Sequence, residues 1–265
     1  IRCEWVAKYW PGATIYRGQP DLGAQDLYVF QKVYRSERVR AWISLLAQRR
    51  DEGGGLLAFD LCDPDFLDEH ARETLLDVLP AFDFAVAPNA RIVQWLSQYL
   101  PAYVVDDGVD PEAIVHRHVF DPNAAGTATR ICWIGYKGNT GALNPLVEGI
   151  QALGVMPHVC VIERPLTFER WLEILTQYDV VLNPQPDVPP YCYKSDNKSK
   201  IAWTAGVAVA RTVDELAEML DPDRRLAALT DNHARVETAW HARHSANRWS
   251  MLARNEEASR GPSNH

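Results

Sequence analysis

Two lysines enclose three small polar residues in Lys194-Ser195-Asp196-Asn197-Lys198, just before a stretch with helical spacing. The unpaired N–H groups and partial positive charge of a helix N-terminus, joined by two ammonium groups, suit phosphate or another anion. A capped helix with a solvated charged end is the other reading of these residues. Gly135-Tyr136-Lys137-Gly138-Asn139 is a second candidate, placed directly after an apolar run. Its glycines let backbone approach a ligand closely and Lys137 adds charge, so a diphosphate suits it, although an ordinary strand-to-helix turn has the same make-up. Glu163 and Arg164 pair a carboxylate suited to ribose hydroxyls with a guanidinium suited to a phosphate or a base; a surface ion pair is the alternative. Asp60, Asp63 and Asp65 form a carboxylate cluster that could bind acceptor hydroxyls, act as a base or hold a metal. Asp65 can equally cap the next helix, and Asp63-Pro64 is common turn chemistry.

Other chemistries find less support. Histidines at 116, 118, 233, 241 and 244 include His241 and His244 at a spacing that puts two ligands on one helix face. No third ligand or closed polar setting accompanies them, so they read as solvated and no metal site is expected. Gly-x-Ser-x-Gly, Walker and His-Glu-x-x-His patterns are absent from the sequence. Gly53-Gly54-Gly55 precedes its strand, whereas a dinucleotide fingerprint follows one, so it reads as a turn.

The whole chain sets further bounds. Its 265 residues suffice for one large domain or two smaller ones. Apolar residues at 47% and charged residues at 23% are globular proportions. A net charge of −8 disfavours general nucleic-acid binding while leaving room for a local basic region. No apolar run approaches the ~18–20 residues of a membrane span, and the N-terminus lacks a secretory pattern. Five cysteines, scattered singly, point to reduced and mostly buried thiols in a cytoplasmic protein. The first residue is Ile1, so upstream residues that complete the first domain can be missing.

The elements that would carry these residues alternate. Helix 1–12 is followed by strand 26–31, helix 35–50, strand 56–59, helix 65–79, strand 84–87, helix 89–100 and strand 102–105. Residues 111–129 have linker composition. Strand 130–135, helix 141–153 and strand 159–162 restart the pattern. Thr167 caps the next helix, strand 179–182 follows, and a short helix from 197 ends at Gly206 before strand 207–210. Thr212 and Glu215 make a capping box, and helical sequence continues over 224–254. Two rounds of alternation imply an α/β protein: two Rossmann-like domains with parallel sheets, facing each other across a cleft. The expected division is 1–125 and 126–265, with the last helix packing back on the first domain.

Trp133-Ile134-Gly135, Tyr178 to Pro184, Lys194 to Lys198 and Ala205 to Ala210, taken in this order, resemble the nucleotide-sugar glycosyltransferases of the GT-B fold, close to the retaining group 1 branch. Members of that branch often carry a similar "DVVL-P … KS-NK … AGVPVV" run. Weaker echoes are Phe59 to Asp63, Pro88-Asn89 and Asp107 to Asp110. The likeness spans most of the chain and is sharp over about 130–210. It implies sugar transfer from a nucleoside diphosphate sugar, UDP- or GDP-linked, to an acceptor hydroxyl, with no cofactor required. Lys194 and Lys198 would act on the leaving diphosphate. Gly135, Tyr136, Lys137, Gly138, Asn139, Glu163, Arg164, Tyr193, Ser195, Asp196 and Asn197 would bind the donor, and Asp60 and Asp63 would face the acceptor. That acceptor could be a glycan, a lipid-linked compound or a small hydroxyl compound. Many relatives also carry two glutamates eight positions apart, where this chain has Tyr193 and Ile201. Three alternatives stay open: a nucleotide-sugar epimerase, a non-catalytic nucleotide-binding protein, and transfer to a hydroxylated base in phage-type DNA, with Arg35, Arg38, Arg40, Arg49 and Arg50 as a basic flank.

Overall fold

The computed structural model describes residues 2–16, 25–51, 54–119 and 129–260. The chain divides into two compact units. One comprises Ile1–Gly108, Cys192–Ser195 and Ala242–His265; the other comprises Val109–Tyr191 and Asp196–His241.

The first unit is built on four parallel strands in the order β1-β2-β3-β4, which are Leu27–Gln31, Leu56–Asp60, Phe84–Ala87 and Ala102–Val104. Strands β2 and β3 are buried along their whole length. Their near-continuous apolar sequences suit strands covered on both faces. Alternate side chains then serve opposite faces. Leu57, Phe59, Ala85 and Ala87 pack with Ile43 and Leu46 of helix α2 (Glu37–Asp51), Leu75 of α3 (Glu69–Val78) and Ile92 of α4 (Ala90–Leu96). Leu56, Ala58, Phe84 and Val86 pack with Val6 of helix α1 (Arg2–Lys8) and with Ala246, Trp249 and Leu252 of the final helix. Each large apolar side chain buried this way contributes about 2 kcal/mol.

The second unit holds β5 (Ile131–Tyr136), β6 (His158–Ile162), β7 (Val180–Leu182) and β8 (Ala208–Ala210), all parallel, in the order β6-β5-β7-β8. The chain steps outward from β5 to β6 and then returns to the other side of β5. That reversal puts a crevice beyond the carboxyl ends of β5 and β7, where open α/β sheets bind ligands. Helices α5 (Val147–Ala152), α6 (Phe168–Leu175), α7 (Asn197–Thr204), α8 (Val213–Leu220) and α9 (Pro222–Arg235) complete the unit. Thr167 caps α6, its Oγ1 accepting from the Arg170 amide at 3.2 Å.

Several sequence expectations change. Helix 65–79 resolves into a 3-10 turn at Asp65–Leu67 followed by α3. Asp68, not Asp65, caps α3, accepting from the Ala71 amide at 2.8 Å. Asp65 instead accepts from the Tyr34 hydroxyl at 2.7 Å. The helix expected at 141–153 is a 3-10 run over Lys137–Leu146 before α5 begins. Gly138, Gly141 and Pro145 within that run disfavour regular α-helix. In the capping box, Thr212 Oγ1 accepts from the Glu215 amide, while Glu215 reaches back to the Arg211 amide instead of that of Thr212. The stretch 224–254 breaks at His241, which has extended backbone, after a π-turn at Val236–Trp240; α10 (Ala242–Ser259) then joins the first unit. Of the cysteines, Cys132 alone is buried and the other four are half-buried. The linker-like 111–129 opens with a 3-10 turn at Pro111–Ala113, and its residues 120–128 lie outside the described ones.

Candidate functional site

The crevice side of the second unit is shaped by local sequence. The Asn183 side chain, directly after β7, donates to Ser199 Oγ at 2.8 Å and so ties that loop to the first turn of α7. Asp196 precedes α7 without capping it. Both its carboxylate oxygens lie 2.7 Å from Arg211 Nη2, which fixes the entry to the helix from the end of β8. From the first turn of α7, Lys198 Nζ donates to the Ile134 carbonyl of β5 at 2.8 Å and lies 5.8 Å from the centre of the Trp133 ring. Asn197 Oδ1 is shielded from solvent and has no hydrogen-bond partner. A cation and the amino end of a helix are thus brought to the carboxyl end of β5.

At Gly135 a Cβ would sit 2.8 Å from the Trp133 ring, so the absence of a side chain lets that indole lie along the strand. A Cβ at Gly141 would meet the Tyr191 hydroxyl at 2.6 Å, whereas Gly138 faces open space. Tyr136, Lys137 and Gly138 are exposed and Asn139 is half-buried, on 3-10 backbone that the bond from Thr140 Oγ1 to the Lys137 carbonyl closes at 2.9 Å. Glu163 and Arg164 are exposed beyond β6.

Tyr193, Lys194 and Ser195 fall in the first unit. The Tyr193 ring meets Phe66 edge-on at 5.2 Å, and its carbonyl accepts from Asn89 Nδ2 at 2.7 Å. Lys194 Nζ is 3.1 Å from Asp63 Oδ1, and Lys32 Nζ is 2.5 Å from Asp63 Oδ2. Burial would raise the Asp63 carboxyl, but the Lys32 hydrogen bond and the charges of Lys194 and Lys32 outweigh it and hold the group below the ordinary carboxylate range. Asp60, at the end of β2, is 2% exposed. Its Oδ2 accepts from Arg2 Nε and Gln31 Nε2, each at 2.9 Å, while Oδ1 has no partner. Arg2 also reaches Asp107 and the Val105 carbonyl.

Lys194 and Lys198, read together from the sequence, therefore have different settings. Lys194 is tied to an aspartate of the first unit, and Lys198 to a strand carbonyl of the second. Ile201 is 4% exposed, so where relatives of the resembled family carry a glutamate this chain has a core residue.

Sequence reasoning missed three sets of residues. Arg2, Gln31 and Asp107 gather around Asp60 from segments far apart in the chain, with no local pattern to reveal them. His241 is buried and the side chain of His118 is only 6% exposed, so neither is the solvated histidine expected. The His118 ring touches the Thr176 carbonyl at 3.0 Å and Asp179 at 3.1 Å, and its backbone N–H donates to the Ala205 carbonyl at 2.7 Å. His116 stands beside Glu169 and Glu173. Among the described residues, no helix is long and apolar enough to cross a membrane.

No family model matches this sequence. No curated protein matches it either. Solved structures do. Sucrose-phosphate synthase from Thermosynechococcus elongatus is similar with a TM-score of 0.56 and 15% identity, over 88% of this chain and 74% of that one. A trehalose-6-phosphate structure from E. coli, bound with UDP-2-fluoro glucose, gives a TM-score of 0.49 and 11% identity over 86% and 73% of the two chains. The first of these likenesses establishes the fold, α/β with parallel sheets, as the GT-B type expected from the sequence.

Proposed function

We propose, from this fold and from the residues at the end of β5, that the chain is a glycosyltransferase acting on a nucleoside diphosphate sugar. The observation that carries the reading is Lys198, held at the amino end of α7 against the Ile134 carbonyl, beside a glycine-rich turn and at the reversal of a parallel sheet. When a glycosyl group leaves a nucleoside diphosphate, the departing oxygen gains negative charge. An ammonium and helix N–H groups aimed at that charge stabilise the transition state more than the bound donor.

In this reading, Lys198 and the N–H groups of Asn197 to Ser199 receive the diphosphate. Gly138 and Asn139 supply backbone that can approach it, and Glu163 and Arg164 meet the nucleoside. These groups serve without a divalent ion. Lys194 is a second cation for the leaving group, provided that it exchanges Asp63 for phosphate oxygens. Asp60 and Asp63 belong to the acceptor side. The donor is UDP- or GDP-linked, the acceptor is a hydroxyl compound, and the protein works in the cytoplasm. The packing of Ile201 in the core means that no carboxylate at that position orients the sugar.

The direct test is release of nucleoside diphosphate from a panel of UDP- and GDP-sugars, with Lys198→Ala as the comparison. A fall in turnover of about 10²–10³ with the fold unchanged is expected, the cost typical of losing one preorganised donor to a developing anion. Turnover within a few-fold of the unsubstituted protein overturns the assignment.

A further inference from the structure

We infer that His116, Glu169 and Glu173 form a binding site for one divalent transition-metal ion, with Zn2+ the best match. Glu169 and Glu173 stand four residues apart on α6 and so share a face of that helix. Like charges at this spacing repel unless something positive lies between them. Arg170 answers only part of the charge, binding Glu173 Oε2 at 2.6 Å. His116 Nε2 lies across from one oxygen of each carboxylate, 3.9 Å from Glu169 Oε1 and 3.8 Å from Glu173 Oε1. Those separations are too long for hydrogen bonds. The ring nitrogen is nevertheless shielded from solvent and has no partner.

The three side chains are part-exposed or exposed, but the imidazole nitrogen itself is shielded, makes no hydrogen bond and lies within 4 Å of both carboxylates, a ligand set suited to a cation. Zn2+ binds imidazole nitrogen and carboxylate oxygen at about 2.0–2.2 Å, so tetrahedral ligand atoms lie about 3.4 Å apart. Movement of a few tenths of an ångström in flexible glutamate side chains closes the observed gaps. One nitrogen and two oxygens suit Zn2+ or a similar borderline ion better than Ca2+ or Mg2+, which favour all-oxygen sets. Three protein ligands leave a fourth position for water. The backbone around His116 is anchored as such a site requires. Ile114 is 3% exposed, and His118, two residues on, is bonded to Ala205 and Thr176. Bound metal would pin the segment 109–119 to α6, within the second unit. It would act as a structural link, independent of any sugar transfer.

The test uses the full chain, free of any polyhistidine tag, with Zn2+ or Co2+ as the probe. After gel filtration one equivalent of zinc is expected to remain, Co2+ is expected to give the visible absorption of a low-symmetry site, and thermal stability is expected to rise on loading. His116→Ala and the double variant Glu169→Gln/Glu173→Gln are each expected to weaken binding at least ~10-fold, since losing a ligand costs more than losing a partner outside the ligand set. The glutamates lie on an outward helix face, so the double variant keeps the test sound if His116→Ala misfolds. Failure to retain zinc overturns the proposal, leaving His116 as a histidine that merely pairs with the carboxylates when protonated. Equal zinc retention by both variants overturns it as well, by placing the ion elsewhere.

Discussion

The carboxyl ends of the two sheets are built by opposite means. In the first unit β2 ends in acidic side chains that already have their own donors: Arg2 and Gln31 for Asp60, Lys32 and Lys194 for Asp63, the Tyr34 hydroxyl for Asp65. In the second unit β5 ends in glycine-bearing 3-10 backbone and faces the amino end of a helix. The first arrangement holds side-chain charges in place by pairing them. The second concentrates backbone N–H groups and the Lys198 ammonium, which suits a dissociating anion. Such a difference is what separate roles for acceptor and leaving group would require, and it can be challenged from either side.

The largest expected effect falls in the second unit. Lys198→Ala should lower turnover about 10²–10³-fold, or about 3–4 kcal/mol in the barrier, with circular dichroism and melting temperature little changed. A joint loss of turnover and fold would recast the Ile134 contact as a structural prop. Gly108 offers the next effect, this time on the first unit. A Cβ there would lie 2.5 Å from the Ala242 Cα, at the start of the helix whose Trp249 packs under the sheet. Gly108→Ala should therefore destabilise by about 1–3 kcal/mol in denaturant unfolding. A neutral result would mean that α10 is not held tightly against the strand ends.

Thr167→Ala removes the cap of α6 and should cost about 1 kcal/mol. Its effect on ligand binding should be slight, because Thr167 belongs to the scaffold of the second unit. Asp63→Asn gives the smallest and most discriminating change. The native carboxyl is held below its ordinary range. Its contribution to stability is therefore complete above the unfolded value of about 3.9 and is lost as pH falls through the lower, folded value. The stability gap between the native protein and Asp63→Asn should be small, since both the acid and its lysines are part-exposed, and should close in that acidic window. At neutral pH the same change releases Lys194 and should tighten nucleoside diphosphate binding a few-fold by calorimetry. Unaltered affinity would exclude Lys194 from the leaving-group site and leave it as a partner of Asp63.

Element order was largely legible because the apolar runs of β2, β3, β5 and β7 are short, bounded and buried, as strands between helices must be. Local chemistry was legible where a single side chain decides it, as with the Thr167 cap. It failed where neighbours competed. Asp65 and Asp68 both suit a cap, and Tyr34, about 30 residues upstream, claimed the first. Periodicity could not show that the Lys137–Leu146 run would stay 3-10, because its glycines and proline act on backbone geometry rather than on burial. Nor could it show the His118 side chain covered, since its partners Thr176, Asp179 and Ala205 meet it only through the fold. The same limit applies to Lys194, whose aspartate lies 131 positions away in sequence.

The most direct measurement is a crystal structure of the protein with a bound nucleoside diphosphate, UDP and GDP being tried in parallel. The terminal phosphate is expected within hydrogen-bonding distance of Lys198 Nζ and of the first N–H groups of α7, with the Ile134 carbonyl giving up or sharing its ammonium. A diphosphate bound away from the amino end of α7, with Lys198 still closed on Ile134, would contradict this expectation.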